Sequence, residues 1–198
     1  MSQQVAKSRQ TRRATSFCEW LRCDRSAAKS QRRVLALVDS ALRGWVYDDL
    51  VVRMCSVPYD LDDLERRLQQ RQGSRCVVLS ESLFSMEGSS PDVGALAALC
   101  QRHGAPLLLD EAHALGVLGP SGRGLGHGID GVSLLCGTFG KAFASGGAFL
   151  ACGESLGEEL LQTSGAFRYT TALAPPLAAA AAAALQLIAS AEGDQRRQ

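Results

Sequence analysis

Two short motifs carry the groups best suited to chemistry: Asp110-Glu111-Ala112-His113 and, about thirty residues later, Gly137-Thr138-Phe139-Gly140-Lys141. Each follows an apolar run, Ala105 to Leu109 and Val132 to Cys136, of the kind that forms a buried strand. In open α/β sheets the carboxyl ends of neighbouring strands border one crevice, so a lysine amine and a carboxylate are expected to face the same space. That pair suits pyridoxal phosphate. The amine forms a Schiff base with the cofactor's aldehyde, and the acid keeps the pyridine nitrogen protonated so that the ring acts as an electron sink.

Gly140 lets the backbone turn at once after the strand and present Lys141 at the sheet edge. Thr138 is either a hydroxyl donor to a phosphate or an ordinary strand-end residue. Asp110 ends an apolar strand, where an ionised carboxylate is costly without a cation, although an Asp capping a turn explains it equally simply. His113 is either a hydrogen-bond partner for the phenolic oxygen of the cofactor or a structural histidine, and its spacing from Asp110 favours the former. Ser85, in Glu81-Ser82-Leu83-Phe84-Ser85-Met86-Glu87-Gly88, is a second donor to that oxygen. Phe84 and Met86 are expected to pack, and Glu81 to be an internal hydrogen-bond partner. The tract from Gly116 to Gly124 is too rich in turn formers for a helix, and it lacks the lysine-serine or lysine-threonine ending of a nucleotide-binding P-loop.

The elements that must position these groups alternate. Strands are expected at Val34–Val38, Cys76–Leu79, Ala105–Leu109, Val132–Cys136 and Ala148–Cys152. Helices are expected at Tyr59–Leu68, Asp92–His103 with Gly104 closing it, Leu156–Gln162, and from Pro176 onward. The seven alanines between Leu177 and Leu185 are scaffold, because alanine is the best helix former. Strand–helix alternation predicts an α/β fold of three layers, α/β/α, around a mainly parallel sheet.

The segments ESLFSMEG, LLLDEAHALGVLGPSGRG, GTFGKAFASGGAFL and FRYTTALAPP together closely resemble the α-oxoamine synthases, fold-type-I pyridoxal-phosphate enzymes of the aminotransferase-like group. The resemblance runs from about Cys76 to the C-terminus and implies part of that family's large domain over residues 34–190, with 191–198 leading toward a smaller C-terminal domain. It implies Lys141 as the Schiff-base lysine, Asp110 as the pyridinium partner, His113 and Ser85 as ligands of the ring oxygen, and Thr138 as a phosphate ligand. Thr171 matches a hydroxyl that reaches the phosphate of the partner subunit's cofactor, so a homodimer is implied. The implied reaction condenses an amino acid with an acyl thioester and releases carbon dioxide. FRYTTALAPP and AEGDQRR are most similar to the 8-amino-7-oxononanoate synthases, which join L-alanine to a pimeloyl thioester in biotin synthesis. Glycine acetyltransferase, 5-aminolevulinate synthase and serine palmitoyltransferase are close alternatives.

Three departures favour a second class of reading, a truncated or divergent copy that binds cofactor without turnover. Family members are about twice this length. Their phosphate-binding glycine turn has no counterpart in residues 1–33, and Arg43 falls where they carry a ring-stacking histidine. An arginine can stack but cannot relay a proton as histidine does.

Composition bounds the rest. The 198 residues carry a formal charge of +1 and are 46% hydrophobic, as expected for a soluble protein with one good core. Of the 21 Lys and Arg, nine lie in the first 33 residues against two acids, leaving 12 against 18 afterwards. This basic, Ser-rich opening reads as a solvated disordered arm or a mitochondrial transit peptide; otherwise a cytoplasmic location is expected. No other stretch is basic enough for nucleic acid, and no apolar run is long enough for a membrane span. Seven cysteines without C-x-x-C or His/Cys spacing point to reduced, buried thiols and no metal.

Overall fold

In the computed structural model, residues 60–70 and 76–198 are described. The basic arm, the Val34–Val38 strand, Arg43 and the Tyr59 helix start lie outside them. Helix α1 spans Leu61–Gln70, opened by Asp60, whose Oδ1 accepts from the Asp63 N–H at 2.8 Å. It buries Leu64 and Leu68, four apart on one face. Helix α2, Val93–Arg102, is capped by Asp92, whose Oδ1 accepts from the Ala95 N–H at 2.9 Å. It ends in a Schellman turn in which Gly104 (φ +57°) donates to Gln101 O and Ala105 to Cys100 O. The helix that periodicity predicts over Asp92–His103 is therefore present with both end residues as its caps.

Four strands form one sheet in the order β1 (Val78–Glu81), β2 (Leu107–Asp110), β3 (Val132–Thr138) and β4 (Ala148–Cys152). β1, β2 and β3 are mutually parallel, and β4 runs antiparallel to β3. Two strands begin two residues later than hydrophobicity predicts, for one reason. Pro106 has no N–H to donate, so the ladder opens at Leu107, opposite Val78, with the Val78 N–H on Pro106 O at 2.9 Å. The same register carries both strands past their apolar runs and makes Glu81 and Asp110 cross-strand neighbours on the final rung.

Opposite β2, β3 bulges at Ser133: Leu107 pairs with Val132 but Leu108 with Leu134. The Ser133 hydroxyl accepts from the Leu107 N–H at 3.3 Å and so satisfies the interrupted ladder. The bulge keeps Val132 with Leu107 on the face packed against α1 and α2, where Leu64, Leu68, Val78, Leu96 and Leu99 form the core. Leu108 and Leu134 face the other way, toward helices α3 (Glu154–Thr163) and α4 (Gly165–Arg168) across an apolar groove of about 800 Å³. Burying a leucine contributes about 1.5–3 kcal/mol, so the β1–β2 core is the chief source of order. Helix α5, Pro175–Ile188, starts one residue before the expected Pro176, with both prolines in its first turn, but buries only Ala181. Helix α6, Ala191–Arg196, packs beside it, and the Arg197 guanidinium donates to Ile188 O at 2.8 Å.

The fold is α/β with a mostly parallel sheet, as the alternation predicts. No helix among the described residues is long and apolar enough to cross a membrane, and no cluster of His, Cys, Asp and Glu there is suited to a metal.

Candidate functional site

Because β1, β2 and β3 are parallel, their last residues share one edge, and those residues are Glu81, Asp110 and Thr138. Lys141 follows three residues after β3, in a tight loop. The Thr138 hydroxyl accepts from the Gly140 N–H at 3.1 Å and donates to Gly147 O at 3.2 Å, while the Phe139 N–H donates to Gly147 O at 2.9 Å and the Ser145 N–H to Phe139 O at 2.8 Å, closing the loop. Ala144 takes φ +48°, an uncommon value for a residue with a Cβ, and donates to Lys141 O at 2.9 Å. Gly137 leaves room for the Phe149 ring from β4: a Cβ there would lie 2.4 Å from its Cζ. Phe149 in turn stacks on Phe139, with ring centroids 5.3 Å apart.

Asp110 is 6% exposed, and its Oδ1 accepts from the Ala112 N–H at 2.7 Å. Burial pushes its carboxyl above the usual range, against that hydrogen bond and the charges of Lys141 and His113. Glu81, 7% exposed, is also pushed up, first by burial and then by Asp110, while the Ser85 N–H at 3.4 Å and Lys141 pull it down. The Lys141 side chain is exposed, yet the surrounding chain lowers its ammonium by desolvation, against Asp110, Glu81 and Cys136. Desolvation likewise lowers the half-buried His113, helped by Lys141 and opposed by Asp110. The Cys136 thiol is pushed up to about 12, mainly by burial. Two carboxyls, an amine and an imidazole thus act on one another's charge at one sheet edge, and an amine depressed in this way is a better nucleophile.

Of the residues singled out from sequence, Asp110, His113, Lys141 and Thr138 come together at the ends of β2 and β3. Ser85 joins them through Glu81, and its hydroxyl oxygen is buried with no hydrogen-bond partner among the described residues, as is that of Ser89. Thr171 does not join: it is exposed in the segment between α4 and α5. Phe84 packs as expected, at 6% exposure, but Met86 is 73% exposed because the turn after β1 carries it outward, away from the core.

Glu81, expected as an internal hydrogen-bond partner, accepts from the Ser85 N–H at 3.4 Å. Its cross-strand pairing with Asp110 has no sequence signal and comes from register alone, and Cys136 was not expected beside the site. The separation of Glu111 from the site had a signal: successive residues of an extended strand point to opposite faces, so a carboxylate directly after Asp110 must be placed elsewhere. The apolar groove beneath the sheet takes in Cys136 but none of Asp110, His113, Thr138 and Lys141, so it is not the chemical site.

The profile of the aminotransferase class I and II family matches residues 29–198. A putative 8-amino-7-oxononanoate synthase of Magnetococcus marinus is 48% identical over 132 residues, covering 65% of this chain and 33% of that protein. An 8-amino-7-oxononanoate synthase of Gluconacetobacter diazotrophicus is 45% identical over 138 residues, covering 69% and 35%. Among solved structures, a serine palmitoyltransferase from S. paucimobilis in complex with PLP–myriocin superposes with a TM-score of 0.63 at 26% identity, covering 69% of this chain and 36% of that one. The chain spans about a third of the length of the curated relatives it matches.

Proposed function

The chain belongs to the aminotransferase class I and II family, and we propose that its sheet-edge cluster is the pyridoxal-phosphate centre of an α-oxoamine synthase. The reaction is the joining of an amino acid, L-alanine, to a pimeloyl thioester with loss of carbon dioxide, as in biotin synthesis. The observation that carries this reading is the placement of Lys141, in the loop directly after β3, at the same sheet edge as Asp110 and Glu81, which end the adjacent parallel strands. The synthases named above, 48% and 45% identical, support the choice of substrates.

The residues fit the cofactor. Asp110 is a buried acid whose only hydrogen-bonded donor among the described residues is a backbone amide, so a ring N–H cation would relieve its burial. The unpartnered Ser85 hydroxyl is available to a ring oxygen, as is the neutral-leaning His113. Thr138 stands beside the amide of Gly140 at the opening of the Lys141 loop, where a phosphate would be held. Pyridoxal phosphate, when bound, supplies an electron sink for the bond-breaking steps. Lys141 would hold the cofactor through its amine and would serve as a depressed-pKa base at the same edge. Asp110 would hold a proton at the ring nitrogen, and His113 and Ser85 would orient the ring. Thr171 on the surface is assigned to the phosphate of a second subunit's cofactor, in a homodimer.

The test is to titrate the chain with pyridoxal phosphate, follow the visible absorption, and repeat with Lys141→Ala. The expected result is a band in the native chain and none in the variant. L-alanine with a pimeloyl thioester should then release carbon dioxide. A band without turnover would reject the substrate assignment for this chain, and no Lys141-dependent band would reject the site.

A further inference from the structure

The mechanism makes no use of the most deeply buried acid in the described residues, nor of the glycine tract that is neither helix nor P-loop. The two belong together. Glu111 is 0% exposed, and its carboxylate accepts from the Ser82 hydroxyl at 2.7 Å, the Leu125 N–H at 3.2 Å and the Gly126 N–H. Its own N–H donates to Cys136 O at 2.8 Å, and the Ser82 N–H donates to Asp110 O at 2.9 Å. One residue therefore ties the end of β1, the end of β2, β3 at Cys136 and the glycine loop.

The loop is shaped around that carboxylate. Gly124 has φ +87°, and a Cβ there would lie 2.5 Å from Glu111 Oε2; a Cβ on Gly126 would lie 3.0 Å from Oε1 and 2.6 Å from Leu109 Cδ2. Upstream, Gly119 (φ +76°) abuts the Gly124 carbonyl, and the Gly124 N–H returns to Leu118 O at 2.9 Å. Asp110 and His113 flank Glu111 on the turn it anchors, and Ala112, the donor to Asp110, lies between them.

We propose that Glu111 is a positioning residue: seated in the Ser82–Leu125–Gly126 cradle, it fixes the turn that aims Asp110 and His113 at the cofactor ring. The proposal rests on the reading of the site as a pyridoxal-phosphate centre. A hydrogen bond to a charged acceptor is among the stronger ones, and a turn free to move by about an ångström loses much of its preorganisation.

Three variants of the full chain test it: Glu111→Ala, Glu111→Gln, which keeps one acceptor oxygen, and Ser82→Ala, which removes a single donor. Each is titrated with pyridoxal phosphate by visible absorption, and the pH midpoint of the band is recorded, since a misplaced Asp110 alters proton holding at the ring. Hydrogen exchange of the 110–114 amides is measured without cofactor. The expected dissociation constant rises on the order of tenfold in Glu111→Ala. Glu111→Gln recovers part of it, and Ser82→Ala shows a smaller rise with a displaced midpoint and faster exchange. If Ser82→Ala and Glu111→Gln bind with unchanged affinity and midpoint while Lys141→Ala abolishes the band, the proposal is overturned and the site reading stands. If Glu111→Ala merely unfolds and Ser82→Ala changes nothing, the role is structural and the proposal is likewise overturned. The absence of any Lys141-dependent band in the native chain would overturn the site reading itself, and the proposal with it.

Discussion

The β1–β2 region and the β4–α5 region are both apolar, but they are ordered by different physics. Every residue of β2 is buried, and Leu107 and Leu109 are 0% exposed. In β4 none is buried, and α5 leaves Leu177, Leu185 and Leu187 at 41, 56 and 37% exposure. The first region holds its shape by packing on both sides of a sheet. The second is a helix by composition, since a run of alanines favours the helix without any neighbour. The buried acids of the site sit where packing is tight enough to shift their protonation, and the exposed Lys141 follows in the loop after β3. Thr171, the remaining candidate, sits in the exposed region.

The sharpest way to break this contrast is to truncate a leucine on each side. Leu109→Ala should cost about 2–5 kcal/mol in denaturant unfolding, from lost burial plus the cavity left behind. Leu185→Ala should stay within about 0.5 kcal/mol. Equal losses would mean that α5 is packed in solution.

A second experiment asks whether burial at the site is a strain that the cofactor relieves. The folded state raises the Asp110 carboxyl, so between the ordinary value and the raised one the folded chain binds more protons than the unfolded one. Stability is therefore lost as pH rises through that window and stays lost above it. Asp110→Asn should melt higher than the native chain at pH 7 without cofactor, with the difference closing on acidification. The order should reverse with pyridoxal phosphate bound, as thermal melts at pH 7 and pH 4 would reveal. A variant less stable at pH 7 without cofactor would refute the burial account.

The smallest expected effect lies at the boundary of the packed region. Asp92→Ala removes the side-chain cap of α2 and should cost about 1 kcal/mol. A cost near zero would show that packing of Leu96 and Leu99 alone holds the helix start.

Much of this was legible from the sequence because it is local. The apolar runs gave β4 to the residue, Asp92 and Gly104 bracketed α2, and the two motifs after buried runs located Asp110, His113, Thr138 and Lys141. Strand ends were misread by one or two residues because hydrophobicity marks where a strand is buried, whereas hydrogen bonding decides where it stops. Pro106 delayed β2, and pairing with β4 drew β3 on to Thr138. Met86 was read as packing from its type alone, and the turn after β1 exposes it.

The sequence by itself determined the alternation of elements, the motifs and the helicity of the alanine run, since each rests on contacts within a few residues. Only the tertiary structure decided that Glu81 stands beside Asp110 and that Glu111 turns away into a glycine cradle, with the lysine depressed by its surroundings. Those outcomes depend on strand register and burial, which join residues dozens of positions apart and leave no local trace in the chain.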